Sequence, residues 1–222
     1  MSYRFREGLH GVDVGGRAIL LDLMADRYFA GKPRLNAALV EFLACDGGAG
    51  ISDQTIQILS DACLIVKRDK LPTLHSSGCA VRPCHDLDIR ASHSIAPILL
   101  GKAAILQFAY NAFPSRRRLS RVVLDVQRAR SRITSPAAAE EDRYRLIAGC
   151  FERLEPIFPP ANRCLQRTAS FLALCHMLGC RPTFVVGVQA SPFSAHCWVQ
   201  DGDRVINDRL ENVAPYVPIL SV

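Results

Sequence analysis

This 222-residue chain lacks a long uninterrupted apolar run. Its most apolar window, Ile95 to Phe113, is broken by Pro97, Lys102 and Gln107, so it reads as a buried helix rather than a membrane span. The opening residues Met1 to Glu7 have no apolar segment of the kind a secretory signal needs, and a cytoplasmic location is expected. Internal repeats and low-complexity tracts are also missing, which excludes solenoids and disordered tails. The cysteines number nine, an odd count, and no two stand in the paired two-residue spacing of structural zinc sites. Cys79-x4-Cys84-His85 and Cys175-His176-x3-Cys180 contain ligand residue types without that spacing, so no bound metal is expected. A disulfide scaffold is equally disfavoured, and the thiols are expected to be mostly free and packed as small hydrophobes.

The composition is that of a globular protein, with 49% hydrophobic and 22% charged residues. A net charge of +6 owes much to Arg116, Arg117, Arg118, Arg121, Arg128, Arg130 and Arg132. Such a tract is usually a solvated helix face, although it also suits an acidic partner or nucleic acid.

Two units and a linker are expected. Residues 1–70 offer short strands at Tyr3 to Leu9, Val12 to Val14 and Ala18 to Leu23, punctuated by Gly8, Gly11, Gly15 and Gly16. Two helices follow, one starting at Pro33 and running to about Cys45, the other capped by Ser52-Asp53. Strands then helices in so short a span suggest a winged-helix-like module. Residues 71–91, rich in proline and polar breaks, form the linker. Residues 92–222 begin with helices at Ile95 to Phe113, Leu119 to Arg132 and Pro136 to Leu154, and end in β-type runs, an α+β plan.

Reactive chemistry concentrates near Cys164. Pro159 and Pro160 stop the preceding element, Asn162 offers an N-cap, and Leu165, Ala169, Leu172 and Cys175 recur at helical spacing until Gly179 and Pro182. Cys164 therefore falls in a first helical turn. There the unpartnered N–H groups and the positive end of the helix dipole favour a thiolate and offer donors to an oxyanion. Downstream lie a lone His196 on the strand Ala195 to Val199, and Asp208 beyond a turn containing Asp201-Gly202. A two-residue Asp201-Gly202 turn sets His196 opposite Asn207; a three-residue turn, Asp201 to Asp203, sets it opposite Asp208. Turn chemistry favours Asn207, whereas a carboxylate stabilises imidazolium better than an amide does. Asp208 is preferred on that ground and Asn207 stays open.

The pattern Cys164-Leu-Gln-Arg167, Pro192-Phe193-Ser-Ala-His196-Cys-Trp198-Val, Val205-Ile-Asn207-Asp208 and Glu211-Asn212-Val213 resembles the transglutaminase-like cysteine peptidases of lasso-peptide maturation. The run Ile19 to Leu23, followed by Asp26-Arg27-Tyr28-Phe29, is similar to the leader-recognition domain fused to those peptidases. The resemblance implies a catalytic triad of Cys164, His196 and Asp208. It implies a precursor peptide as substrate, no cofactor of the chain's own, and a separate ATP-dependent cyclase as partner. It also implies that the leader adds as a strand to the edge of the third strand, here Ala18 to Leu23, with Ile19, Leu21 and Leu23 on one side and Tyr28 closing the groove. Without the resemblance, that alternation is simply a strand's core face. Two rival readings remain: an acyl transferase or amidase using the same triad, and a winged-helix nucleic-acid binder. The few basic residues on the second helix argue against nucleic acid.

Overall fold

The computed structural model describes residues 2–47, 50–67, 81–88, 95–113, 118–133, 140–159 and 163–222. The N-terminal unit comprises β1 (Tyr3–Phe5), β2 (Leu9–Val14), β3 (Arg17–Asp22), β4 (Arg27–Ala30), α1 (Pro33–Ala44), α2 (Asp53–Asp61) and β5 (Ile65–Lys67). Strands β2, β3 and β4 form an antiparallel meander in that order, while β1 pairs with β5. Gly15 and Gly16 make the β2–β3 turn, with φ of 62° and 85°. Two adjacent positive φ values are what a type I′ hairpin requires, and glycine adopts them without a Cβ clash. Asn36 joins α1 to this hairpin, accepting from the Ala18 N–H at 2.9 Å and donating to the Gly16 carbonyl at 2.9 Å. Helix α2 starts where expected, the Ser52 hydroxyl accepting from the Thr55 N–H at 3.2 Å.

Strand β3 is apolar on both faces, and both faces are buried. Ala18 and Leu20 pack with Leu39, Phe42 and Leu59 in the unit's own core. Ile19 and Leu21, with Leu23 just beyond the strand, point the other way and join the core of the C-terminal unit. The continuous run Ala18-Ile19-Leu20-Leu21 thus reads as an inner strand between two apolar layers. The turn after it is fixed by Asp22, which accepts from the Met24 and Ala25 N–H groups at 3.0 Å and meets Arg6 at 2.6 Å. Desolvation pushes the Asp22 carboxyl up, but these donors outweigh it and hold the group below its ordinary value. Asp26, at φ 52°, carries the turn onto the second unit by accepting from the Leu119 N–H at 3.2 Å.

The C-terminal unit contains β6 (His85–Asp86), α3 (Pro97–Ala112), α4 (Leu119–Arg132), α5 (Glu140–Leu154), α6 (Cys164–Met177), β7 (Thr183–Ala190), β8 (Phe193–Asp201), β9 (Arg204–Val205), α7 (Leu210–Val213) and β10 (Val217–Ser221). Its five-stranded sheet has the order β10-β7-β8-β9-β6. Helix α6 lies against β8, with α3, α4 and α5 packed around α6. The expected linker is partly a misreading. Within it, His85–Asp86 dock as the outermost strand, β6, parallel to β9, and Leu87 just beyond is buried in the main core. A two-residue strand is too short to show alternation, and its pairing partner lies far away in sequence. Residues 134–139, the expected start of the third helix, lie outside the described residues. Among the described residues, no helix is long and apolar enough to cross a membrane.

Candidate active site

Cys164 is the first residue of α6. The cap position is Arg163, which makes no side-chain cap hydrogen bond; Asn162, the expected cap, lies outside the described residues. The first-turn N–H groups therefore keep the donor capacity that a helix start leaves unpaired. The Arg163 carbonyl accepts from the Arg167 N–H at 3.0 Å, which closes that first turn.

His196 stands on β8 opposite Gly187 of β7. Trp198 and Tyr216 flank its ring at centroid distances of 6.3 and 5.3 Å. Gly187 is there because nothing larger fits: a Cβ would lie 2.7 Å from Trp198 Cζ3 and 2.8 Å from Tyr216 Cβ. The Trp198 ring is wholly buried, and its Nε1–H donates to Gln200 Oε1 at 2.8 Å.

The turn between β8 and β9 departs from both expected registers. Asp201 pairs with Arg204, so Gly202 and Asp203 form the loop, with positive φ at Gly202 only. That is the type II′ pattern of glycine at the first central position. Backbone pairing ends with the Ile206 N–H donating to the Val199 carbonyl at 2.9 Å, because the Asn207 side chain takes the return bond. Asn207 Oδ1 accepts from the Val199 N–H at 2.7 Å and its Nδ2 donates to Thr168 Oγ1 at 3.0 Å. Thr168 in turn donates to the Cys197 carbonyl at 3.1 Å, fastening α6 to β8 one turn beyond Cys164. Asn207 is thus a fastener, and the next residue meets the imidazole. His196 Nε2 lies 2.6 Å from Asp208 Oδ2. The other carboxylate oxygen of Asp208 accepts from the Arg209 N–H at 2.7 Å and Asn212 Nδ2 at 2.8 Å. Cross-strand counting missed this route because Asp208 reaches His196 from a bend, outside the ladder.

With Nε2 engaged by Asp208, the other ring nitrogen, Nδ1, is left for the Cys164 sulfur. The Cys164 thiol is pulled down to about 4 by a hydrogen bond from the Cys197 thiol; desolvation opposes this, and His196 adds to the lowering. His196 is pushed up to about 9: desolvation lowers it, but the Asp208 and Cys164 partners outweigh that cost. Asp208 is held below its ordinary value, its desolvation outweighed by His196, Asn212 and the Arg209 N–H. Cys197 keeps its proton, raised by its bond to Cys164 and by full burial. A thiolate beside an imidazolium is the combined result. Cys197, Thr168 and Asn212 were absent from the sequence-based site. Cys197 and Asn212 belonged to the quoted pattern without being given a role; Thr168 carries no signal beyond its helical spacing from Cys164.

Tyr28, on β4, comes close to this centre. Its ring meets Phe193 at the start of β8, centroids 5.7 Å apart. Burial raises its phenol well above the ordinary value, and negative charge on the nearby cysteine pair adds to the rise. The other expected leader contacts are placed elsewhere. β3 is paired on both sides and offers no free edge, while Ile19, Leu21 and Leu23 are buried against the second core. The third strand is where it was expected, at Arg17–Asp22, but the Asp22-held turn returns the chain as β4, which covers the edge expected to be free. Cys175 and Cys180 are fully buried core residues.

A model of the transglutaminase-like superfamily matches residues 108–221. The chain belongs to that superfamily, whose members are typically cysteine proteases or acyl transferases. No curated protein and no solved structure matches the chain.

Proposed function

We propose that this protein is the leader peptidase of lasso-peptide maturation, acting in the cytoplasm without a cofactor of its own. The observation that carries the reading is a helix-start cysteine next to a His196–Asp208 pair closed at 2.6 Å. Cys164 is the nucleophile, His196 the general acid and base, and Asp208 the group that orients and stabilises the imidazolium.

The resting thiolate attacks the carbonyl of the last leader residue. The Cys164 N–H and its first-turn neighbours face the oxyanion. Imidazolium then protonates the departing amine of the core peptide, and a water deprotonated by His196 hydrolyses the thioester. The N-terminal unit is the winged-helix-like leader-recognition module, and the leader adds along the outer edge of β4. Support comes from the sheet order, which leaves β4 outermost, and from Tyr28, which carries that strand to Phe193 at the site. Tethering the leader raises the scissile bond's local concentration to roughly millimolar, so selectivity resides in the leader. A separate ATP-dependent cyclase closes the ring.

The same acyl-enzyme also serves transfer to an amine, the second reading that superfamily membership supports. Nucleic-acid binding gains nothing here, since α2 carries no lysine or arginine. The test is to incubate precursor with the protein, with and without cyclase, and follow leader release by mass. Full-length precursor is expected to be cut, with loss of cutting when the leader is truncated or Cys164 is replaced by alanine. An uncut precursor in both conditions overturns the reading; capture of an added amine in place of water favours transfer.

A further inference from the structure

We propose a divalent transition-metal site, of the zinc or cobalt class, formed by Cys84, His85 and Asp203 at the outer edge of the C-terminal sheet. The three ligand atoms come from two segments 119 positions apart, and all lie within 4.8 Å of one another. Asp203 Oδ2 is 3.6 Å from Cys84 Sγ and 3.8 Å from His85 Nε2. A tetrahedral ion with bonds of about 2.0–2.3 Å has ligand-to-ligand edges of roughly 3.3–3.7 Å. The two edges from Asp203 already stand near that range, and shifts of about an ångström at exposed side chains bring the third within it.

The backbone holds the ligands in place before any ion arrives. The Asp203 carbonyl accepts from both the Cys84 N–H, at 2.8 Å, and the His85 N–H, at 3.3 Å. Nearby positive charge is directed away, since Arg204 is paired with Glu141 at 2.8 Å. The His85 and Asp203 side chains are 67% and 50% exposed, which gives an ion a path in and a water the fourth position. Sulfur, imidazole and a single carboxylate select zinc or cobalt over magnesium or calcium, which prefer all-oxygen sets.

The site's place in the fold assigns the ion a structural task. It clips β6 to the β8–β9 turn. From β6, Asp86 Oδ1 accepts from the Leu210 N–H at 2.5 Å, at the start of α7, and α7 carries Asn212, which holds Asp208. An ion at the edge thus steadies the arm that delivers Asp208 to His196, without touching the reacting atoms.

The experiment uses the full chain, reduced, in a Cys164→Ser background so that the active-site thiol cannot bind the probe. Cobalt(II) is titrated and followed by thiolate-to-cobalt charge transfer and the visible bands of a tetrahedral ion, with zinc added afterwards in competition. One cobalt per chain is expected, displaced by zinc, with affinity at least tenfold weaker after Cys84→Ser or Asp203→Asn. Melting temperature should rise with zinc in the background protein and not in the Cys84→Ser variant. Absence of the bands, or bands unchanged by Cys84→Ser, overturns the assignment.

Discussion

Replacing Asp208 by asparagine tests whether the imidazolium is held by that carboxylate. The contact is 2.6 Å and both side chains are about one-fifth exposed, so the pair is only partly screened. In the wild type, the thiolate–imidazolium state exists between the Cys164 value of about 4 and the His196 value of about 9, so kcat/KM should rise through the first and fall through the second. Asparagine removes the charge that raises His196. Its value then falls from about 9 toward its ordinary 6.5, a loss of roughly 3 kcal/mol at about 1.4 kcal/mol per pH unit. The basic limb of the profile should therefore move toward neutrality, with the acid limb rising slightly as the thiolate loses part of its counter-charge. Near neutral pH the loss should be about tenfold to a few hundredfold. The assay is leader release from precursor, measured as kcat/KM across pH for both proteins. A basic limb that stays near 9, with less than threefold loss, would refute the assigned role of Asp208.

Three further outcomes follow from the same geometry. Cys197→Ala removes the thiol that donates to Cys164, so the acid limb should move to higher pH while the basic limb stays; an unmoved acid limb counts against that hydrogen bond. Asn207→Ala leaves the Val199 N–H, on a fully buried residue, without its partner, at a cost of about 1–3 kcal/mol, readable as a fall of roughly 2–4 °C in Tm per kcal/mol. Gly187→Ala drives a methyl group to 2.7 Å from Trp198, and should lower stability by about 1–3 kcal/mol and disturb His196 opposite, read by Tm and kcat/KM together.

Long, strongly patterned segments were legible before the structure, and long-range pairings were not. Helix α4 spans Leu119–Arg132 as its apolar spacing predicts, and α1 begins at Pro33 because proline suits a first helical position. Helix α6 begins at Cys164, which stands in its first turn as expected, with Arg163 rather than Asn162 at the cap position. Two-residue β6 exists only through a partner distant in sequence, and no local pattern marks it, whereas β9 follows the Asp-Gly turn signal one residue out of the expected registers. The edge expected to be free at Ala18 to Leu23 is covered, and the sequence hid this for a different reason. The alternation Ile19, Leu21, Leu23 describes a buried face equally well whether a peptide or a second core covers it, and the second core covers it. Apolar Ala18 and Leu20 between them were the available clue. Asp208 was preferred over Asn207 on charge and on the family resemblance, and it meets His196 from a bend rather than from either expected register.

The most direct measurement is an acid quench of the reaction of wild type with full-length precursor, followed by mass analysis of the protein. A leader-derived thioester on the peptide containing Cys164 is predicted, absent after Cys164→Ala together with loss of cleavage. Cleavage that persists in the Cys164→Ala protein would contradict the account.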